Sequence, residues 1–150
     1  MKECPKSLIE MREKNIGRLF HQAARIYSEK ALVLLHEKGF NDITLYHTAL
    51  ISNLDIEGTQ ITLIAERAGM TKQAMGQLAN ELESKGYVSK SRDPEDKRAY
   101  KIAFTDKGKE ALEAAYHIKL MIEDEYTQIL GKTNFLQLRQ LLNTLIHSSP

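Results

Sequence analysis

The chain has 150 residues, 42% hydrophobic and 27% charged, with a formal net charge of +1. That balance fits one globular domain with a real core and carries no polyelectrolyte signature, so charge alone does not select a nucleic-acid partner. No apolar run reaches the ~18–20 residues of a membrane span. The opening MKECPKSLIEMREK lacks the apolar core of a secretory signal, and the single cysteine, Cys4, forms no internal disulfide, so a cytoplasmic, reducing setting is the expectation.

Ser7 and Glu10 have capping-box spacing and predict the start of a long helix. Ile16, Leu19, Phe20, Ala23, Tyr27, Ala31, Leu34 and Leu35 keep helical spacing to Lys38-Gly39. Such a helix would run roughly 30 residues, against a usual ~11–12. A second helix is expected after Thr44, carrying Leu45, Ala49, Leu50 and Leu54.

The segment ITLIAERAGMTKQAMGQLANELESKGYVSK reads as helix, turn, helix, strand. Thr62 and Thr71 are the expected caps, Ala65 is small where two helices cross, and Gly69 suits a sharp turn. Met75, Leu78 and Leu82 would face inward, and the second helix would end at Lys85-Gly86. This is helix-turn-helix spacing, which holds one helix proud of the surface. Its outward face would show Lys72, Gln73, Gly76, Gln77 and Asn80, with Thr71 at the cap. Gln and Asn can bond an adenine edge, Lys can donate to guanine or phosphate, and Gly76 permits close approach.

KSRDPEDKRAYKIAFT follows. Tyr100, Ile102 and Phe104 alternate with Ala99, Lys101 and Ala103, the period of a half-buried strand, and Asp93-Pro94 marks a tight turn. Lys72 to Lys101 holds seven Lys or Arg against five Asp or Glu, a weakly basic balance. Thr105-Asp106 predicts the cap of another long helix, bearing Ala111, Leu112, Ala115, Ile118, Ile122, Tyr126 and Ile129. Gly131 punctuates, and Thr133 opens a last helix with Phe135, Leu138, Leu142 and Leu145.

The expected fold is mainly α with a small β-hairpin wing: a winged helix-turn-helix core between long terminal helices. Those helices cannot all cover their apolar stripes on so small a centre. A symmetric homodimer is the natural cover, through Ile16, Leu19, Ile122, Tyr126, Phe135, Leu138, Leu142 and Leu145. In this reading residues 1–40 form the N-terminal dimerisation helix, 41–105 the DNA-binding region and 106–150 the C-terminal dimerisation helices of a single domain.

TLIAERAGMTKQAMGQLANELESKGYVSKSRDPEDKRAYKIAFTDKG resembles the winged helix-turn-helix core of the multiple antibiotic resistance regulator (MarR) family. RDPEDKRA…FTDKG, joined to ELESKGYV, is the most specific part. The resemblance implies a dimer that binds a palindromic operator in double-stranded DNA and usually represses transcription. It also implies that Arg98, at the wing tip, enters a minor groove with Asp96 orienting it. A carboxylate can hold a guanidinium by a charge-assisted bond, and narrow grooves attract arginine. Asp93 would then shape the turn, Glu95 face solvent, Lys97 contact phosphate, and Arg92 and Lys90 add further contacts. Gly76 and Gln77 depart from the hydroxyl and basic residues many members carry there, which leaves the operator sequence open, and Phe104 replaces a commoner Leu.

Family members often bind small-molecule effectors beside the helix linking the dimer region to the DNA-binding unit. Here Tyr27, Tyr46, His47 and Tyr116 are the candidates. Cys4, next to Pro5, reads as an incidental thiol. No His or Cys spacing gives a metal site and no cofactor is implied. Glu123, Asp124 and Glu125 point around a helix, and no nucleophile-base pair stands out, so an enzyme is not expected. The reading of a different class is a winged-helix module that binds protein through the same face without binding DNA.

Overall fold

The computed structural model describes residues 5–148, with side chains from Leu8 onward; Cys4 lies outside the described residues. Two helices take the place of the single long one expected at the amino terminus: α1, Pro5–Glu13, and α2, Ile16–Glu37. Asn15 separates them. Its backbone is extended and its Oδ1 accepts from the Arg18 N–H at 3.2 Å, so it starts a new helix instead of continuing the old one. The first opens at Pro5, where a missing N–H is harmless. The expected Ser7 box lies upstream of the described side chains.

Helix α3, Leu45–Ile51, starts after an extended Thr44, and Leu54 falls beyond it yet joins the core. A two-residue strand β1, Thr59–Gln60, then precedes α4, Ile61–Ala68. This strand was not expected. It keeps Gln60 extended, so α4 opens at Ile61 and Thr62 sits within its first turn rather than capping it. Gly69 takes φ 63° and turns the chain into α5, Lys72–Ser84, which Thr71 caps by accepting from the Ala74 N–H at 3.1 Å. Strands β2, Val88–Arg92, and β3, Tyr100–Phe104, form the wing. Helices α6, Asp106–Leu130, and α7, Lys132–Ser148, complete the chain; α7 opens one residue before the expected Thr133.

The sheet order is β1-β3-β2, antiparallel throughout, with Thr59 opposite Ile102 and Lys90 opposite Ile102 from the other side. Met75, Leu78, Ala79 and Leu82 of α5 are buried, in one core with Leu50, Ile64, Ala65, Val88 and Ile102. Each fully buried aliphatic side chain contributes roughly 1.5–3 kcal/mol. Burial of that face decides which face of α5 is left outside.

The terminal helices are less well covered. No residue of α7 is buried, and an Arg139–Glu123 pair at 2.6 Å ties it to α6. Ile16, Leu19, Leu138 and Leu145 are exposed, while Tyr126, Phe135 and Leu142 are partly covered. Ile122 corrects the expectation: it has no exposed surface and belongs to the chain's own core.

Helix α6 starts against β2 with no room to spare. Gly108 is buried and its N–H donates to Thr105 Oγ1 at 3.1 Å; a Cβ there would lie 2.0 Å from the Tyr87 carbonyl oxygen. Gly108→Ala is therefore expected to destabilise the fold by at least about 2–3 kcal/mol, since backbone must move. Urea unfolding measures this, and an unchanged midpoint would contradict the close approach.

Candidate nucleic-acid interface

Helix α5 presents Lys72, Gln73, Gln77 and Asn80 to solvent, opposite its buried face. Gly76 lies among them, and a methyl group there would meet nothing within 4 Å. The helix is aligned from behind by a pair that pattern reading did not reveal. His47 of α3 is 2% exposed; its Nδ1 accepts from the Thr44 N–H at 3.1 Å, which leaves Nε2–H to donate to Glu81 of α5 at 2.9 Å. The Glu81 side chain is 59% exposed, so solvent screening leaves this bond about 1 kcal/mol.

The wing is organised around Tyr100. Lys90 Nζ lies 4.7 Å from the ring centroid and Arg92 lies 4.4 Å from it, both cation–π contacts. Lys90 also donates to Asn80 Oδ1 at 3.1 Å, joining the wing to α5, and Arg92 donates to the Lys97 carbonyl at 3.1 Å. The two cations expected to reach outward are thus partly committed to shaping the site. Lys97 and Arg98 stand exposed at the tip and form no salt bridge among the described residues.

Two carboxylates build the tip by holding main chain. Asp96 Oδ1 accepts from the Arg98 N–H at 3.0 Å. This corrects the expected contact with the Arg98 guanidinium: the short side chain reaches the amide two residues on and fixes the turn. Asp93 is 7% exposed; its Oδ1 accepts from the Glu95 N–H at 2.8 Å and its Oδ2 accepts from Gln60 Nε2 at 2.6 Å. The Gln60 bond, with help from the Glu95 amide, holds the Asp93 carboxyl below its usual range. Gln60 was missed because a lone Gln before an apolar helix start carries no pattern.

A cavity of about 590 Å³ lies between α2, α3 and α6. Tyr27 and Tyr116 line it, on an apolar floor that includes Leu35, Leu54, Phe104 and Ile118. Burial, with Glu123 and Tyr126 nearby, pushes the Tyr27 hydroxyl up. Tyr46 and His47 are not among the lining residues: Tyr46 is 75% exposed, and His47 points toward α5. Among the described residues no group of three or more His, Cys, Asp or Glu could hold a metal ion.

A family profile described as the MarR family matches residues 41–99. The HTH-type transcriptional regulator YkoM of Bacillus subtilis (strain 168) is 31% identical over 108 residues, which is 71% of this chain and 68% of that protein. The fold is similar to the transcriptional repressor CouR bound to a 23-mer DNA duplex, with TM-score 0.70 and 24% identity over 91% of this chain and 95% of that one. It is also similar to CouR of Rhodococcus jostii RHA1 bound to p-coumaroyl-CoA, with TM-score 0.70 and 21% identity over 92% and 96%.

The Asp93 carboxyl makes a prediction about acid. A group whose folded-state pKa is depressed adds stability above its unfolded value, about 3.9, and that stability is lost as pH falls through the folded value. Between pH 5 and pH 2 the wild-type chain is expected to lose more unfolding free energy than Asp93→Asn, measured by denaturant titration at each pH. Parallel curves would show that Asp93 ionisation does not support the fold.

Proposed function

Because the chain belongs to the MarR family of transcriptional regulators, we propose that it represses transcription as a homodimer that grips a palindromic operator. Residues 1–40 and 106–150 supply the dimer surface in this reading, and 41–105 the DNA-binding region. One observation carries the proposal: the polar face of α5 and the Lys97–Arg98 tip are exposed on one body, joined by the Lys90–Asn80 bond. Two copies related by a twofold axis place their α5 helices in successive major grooves about 34 Å apart, with the wings in flanking minor grooves. The likeness to CouR on its duplex supports this geometry.

Thr71, Lys72, Gln73, Gly76 and Gln77 form the leading half of the α5 surface. The N-terminal part of a recognition helix contacts bases, and a good bidentate pair discriminates by about 1–3 kcal/mol. Arg98 enters the minor groove, Lys97 meets phosphate, and Asp96 holds the turn that aims both. Lys90, Arg92 and Asn80 act as a bracket between helix and wing as well as cationic surroundings for the backbone.

The exposed Ile16, Leu19, Leu138 and Leu145, and an α7 in which no residue is buried, support the dimer. A stable interface buries about 1,200–2,000 Å² in total, and amphipathic helices stand at both ends of the chain to contribute to it. The cavity lined by Tyr27 and Tyr116 suits a small-molecule effector that releases the DNA. CouR bound to p-coumaroyl-CoA supports that reading.

Gel shifts on operators selected from random duplex test the proposal. Arg98→Ala is expected to weaken binding by roughly 1–3 kcal/mol and relax preference at A·T-rich flanks, whereas Lys97→Ala weakens all sequences alike and lowers the salt slope by about one. Unchanged operator affinity in Arg98→Ala removes the wing from the interface. For the dimer, sedimentation of the wild-type chain is expected to give twice the chain mass. Leu138→Asp, at a surface position of the free chain, should give the single-chain mass with helicity kept; a wild-type monomer ends the twofold reading.

A further inference from the structure

We propose that Gln60 and Asp93 are positioning residues for DNA binding, whose mutual hydrogen bond sets the pitch of the wing against the helix-turn-helix and so decides whether Arg98 reaches its groove. The inference rests on the DNA-binding reading above. It goes beyond that reading by placing control of the wing in a strand residue that touches no duplex.

Gln60 sits in β1 opposite Lys101, on one side of the central strand β3. Asp93 follows β2 on the other side, where its N–H donates to the Ala99 carbonyl at 3.0 Å. The 2.6 Å bond from Gln60 Nε2 to Asp93 Oδ2 therefore reaches across the whole three-stranded sheet. At one end it is rooted in the residue that immediately precedes α4, the first helix of the helix-turn-helix. At the other it ends on the carboxylate that also fixes the turn into the wing tip through the Glu95 amide.

Asp93 is nearly as buried as the core, yet it forms no salt bridge among the described residues. Its hydrogen bonds come from neutral donors, the Gln60 amide and main-chain N–H groups of the turn, with Lys101 acting only as a nearby charge, and losing the Gln60 donor removes the bond made from outside the hairpin. The segment from Pro94 to Arg98 is otherwise braced by its own short-range bonds, Asp96 to the Arg98 amide and Arg92 to the Lys97 carbonyl. Those bonds shape the tip, while the Lys90 bonds to Asn80 and Glu83 tie the base of the wing to α5. Among the described residues Gln60 is the side chain outside the 88–104 hairpin that bonds to the turn.

A mutant cycle on operator affinity, read by fluorescence anisotropy, tests this. In the wild-type chain Arg98→Ala is expected to weaken binding by about fivefold to a hundredfold. In a Gln60→Leu background, which keeps the bulk and removes the donor, the same change should weaken binding less than about twofold. The penalty for Lys72→Ala, on α5, should be equal in both backgrounds, which a general loosening of the fold would not produce. If Gln60→Leu does not fold, Gln60→Asn serves, being too short to reach Asp93. Asp93→Asn should keep the Arg98 penalty, since Gln60 can turn its amide and accept from the new one. An Arg98 penalty undiminished in the Gln60 variant overturns the inference while leaving DNA binding intact, and so does a Lys72 penalty that shrinks in parallel. A wild-type chain that binds no duplex overturns both readings together.

Discussion

Ile102 has no exposed surface and stands in the middle of β3, with Thr59 paired on one side and Lys90 on the other. Both ends of the helix-turn-helix and the wing are tied to that strand. β1 precedes the helix-turn-helix directly and β2 follows it after a short turn, so pairing both to β3 pins the two ends of the unit to one line. A two-residue strand has no stability alone. Its place is held by Ile102 and the core behind it. The wing is therefore an edge of the same small body that buries Met75 and Leu82.

That arrangement explains how a nearly neutral chain can offer a cationic tip. Seven basic and five acidic side chains between Lys72 and Lys101 give too small an excess to matter as a bulk field. Placement matters more. Glu81 accepts from His47, Glu83 from the Lys90 amide, Asp93 from Gln60 and Asp96 from the Arg98 amide. Four of the five carboxylates are thus turned to holding the scaffold, while Lys72 stands at the positive end of the α5 dipole and Lys97 and Arg98 at the tip. With a screening length of about 8–10 Å in physiological salt, the nearest charges dominate what a phosphate feels.

The parts legible in the sequence are those with a period or a cap. Met75, Leu78 and Leu82, the Thr71 cap and the alternation of Tyr100, Ile102 and Phe104 are local patterns, and α5 and β3 follow from them. The 30-residue first helix failed because apolar spacing continued across Asn15, whose side chain competes with the helix for its own backbone. β1 was not seen because two residues make no period and its partners, Ile102 and Lys101, lie more than forty residues on. Ile122 looked like its neighbours along α6, and only the position of the core distinguishes the face that turns inward. The candidate site divides in the same way. The residues of α5 and the tip were readable, whereas Gln60, the Tyr100 bracket and the His47–Glu81 bond are contacts between elements.

His47 also changes how the proposed effector control is to be understood. Leu45, Thr48 and Ile51 of α3 line the cavity, while His47, on the same two turns, bonds to Glu81 of α5. The wall of the cavity and the support of α5 are therefore one short helix. An occupant acts on DNA only through its differential affinity for two placements of that helix, a coupling of typically 1–3 kcal/mol. One hydrogen bond between His47 and the partly exposed Glu81, at about 1 kcal/mol, lies at the lower end of that range. No larger rearrangement is required. A displacement of α3 that lengthens this contact is of the right energy to shift α5, and twofold pairing would apply it to both half-sites at once.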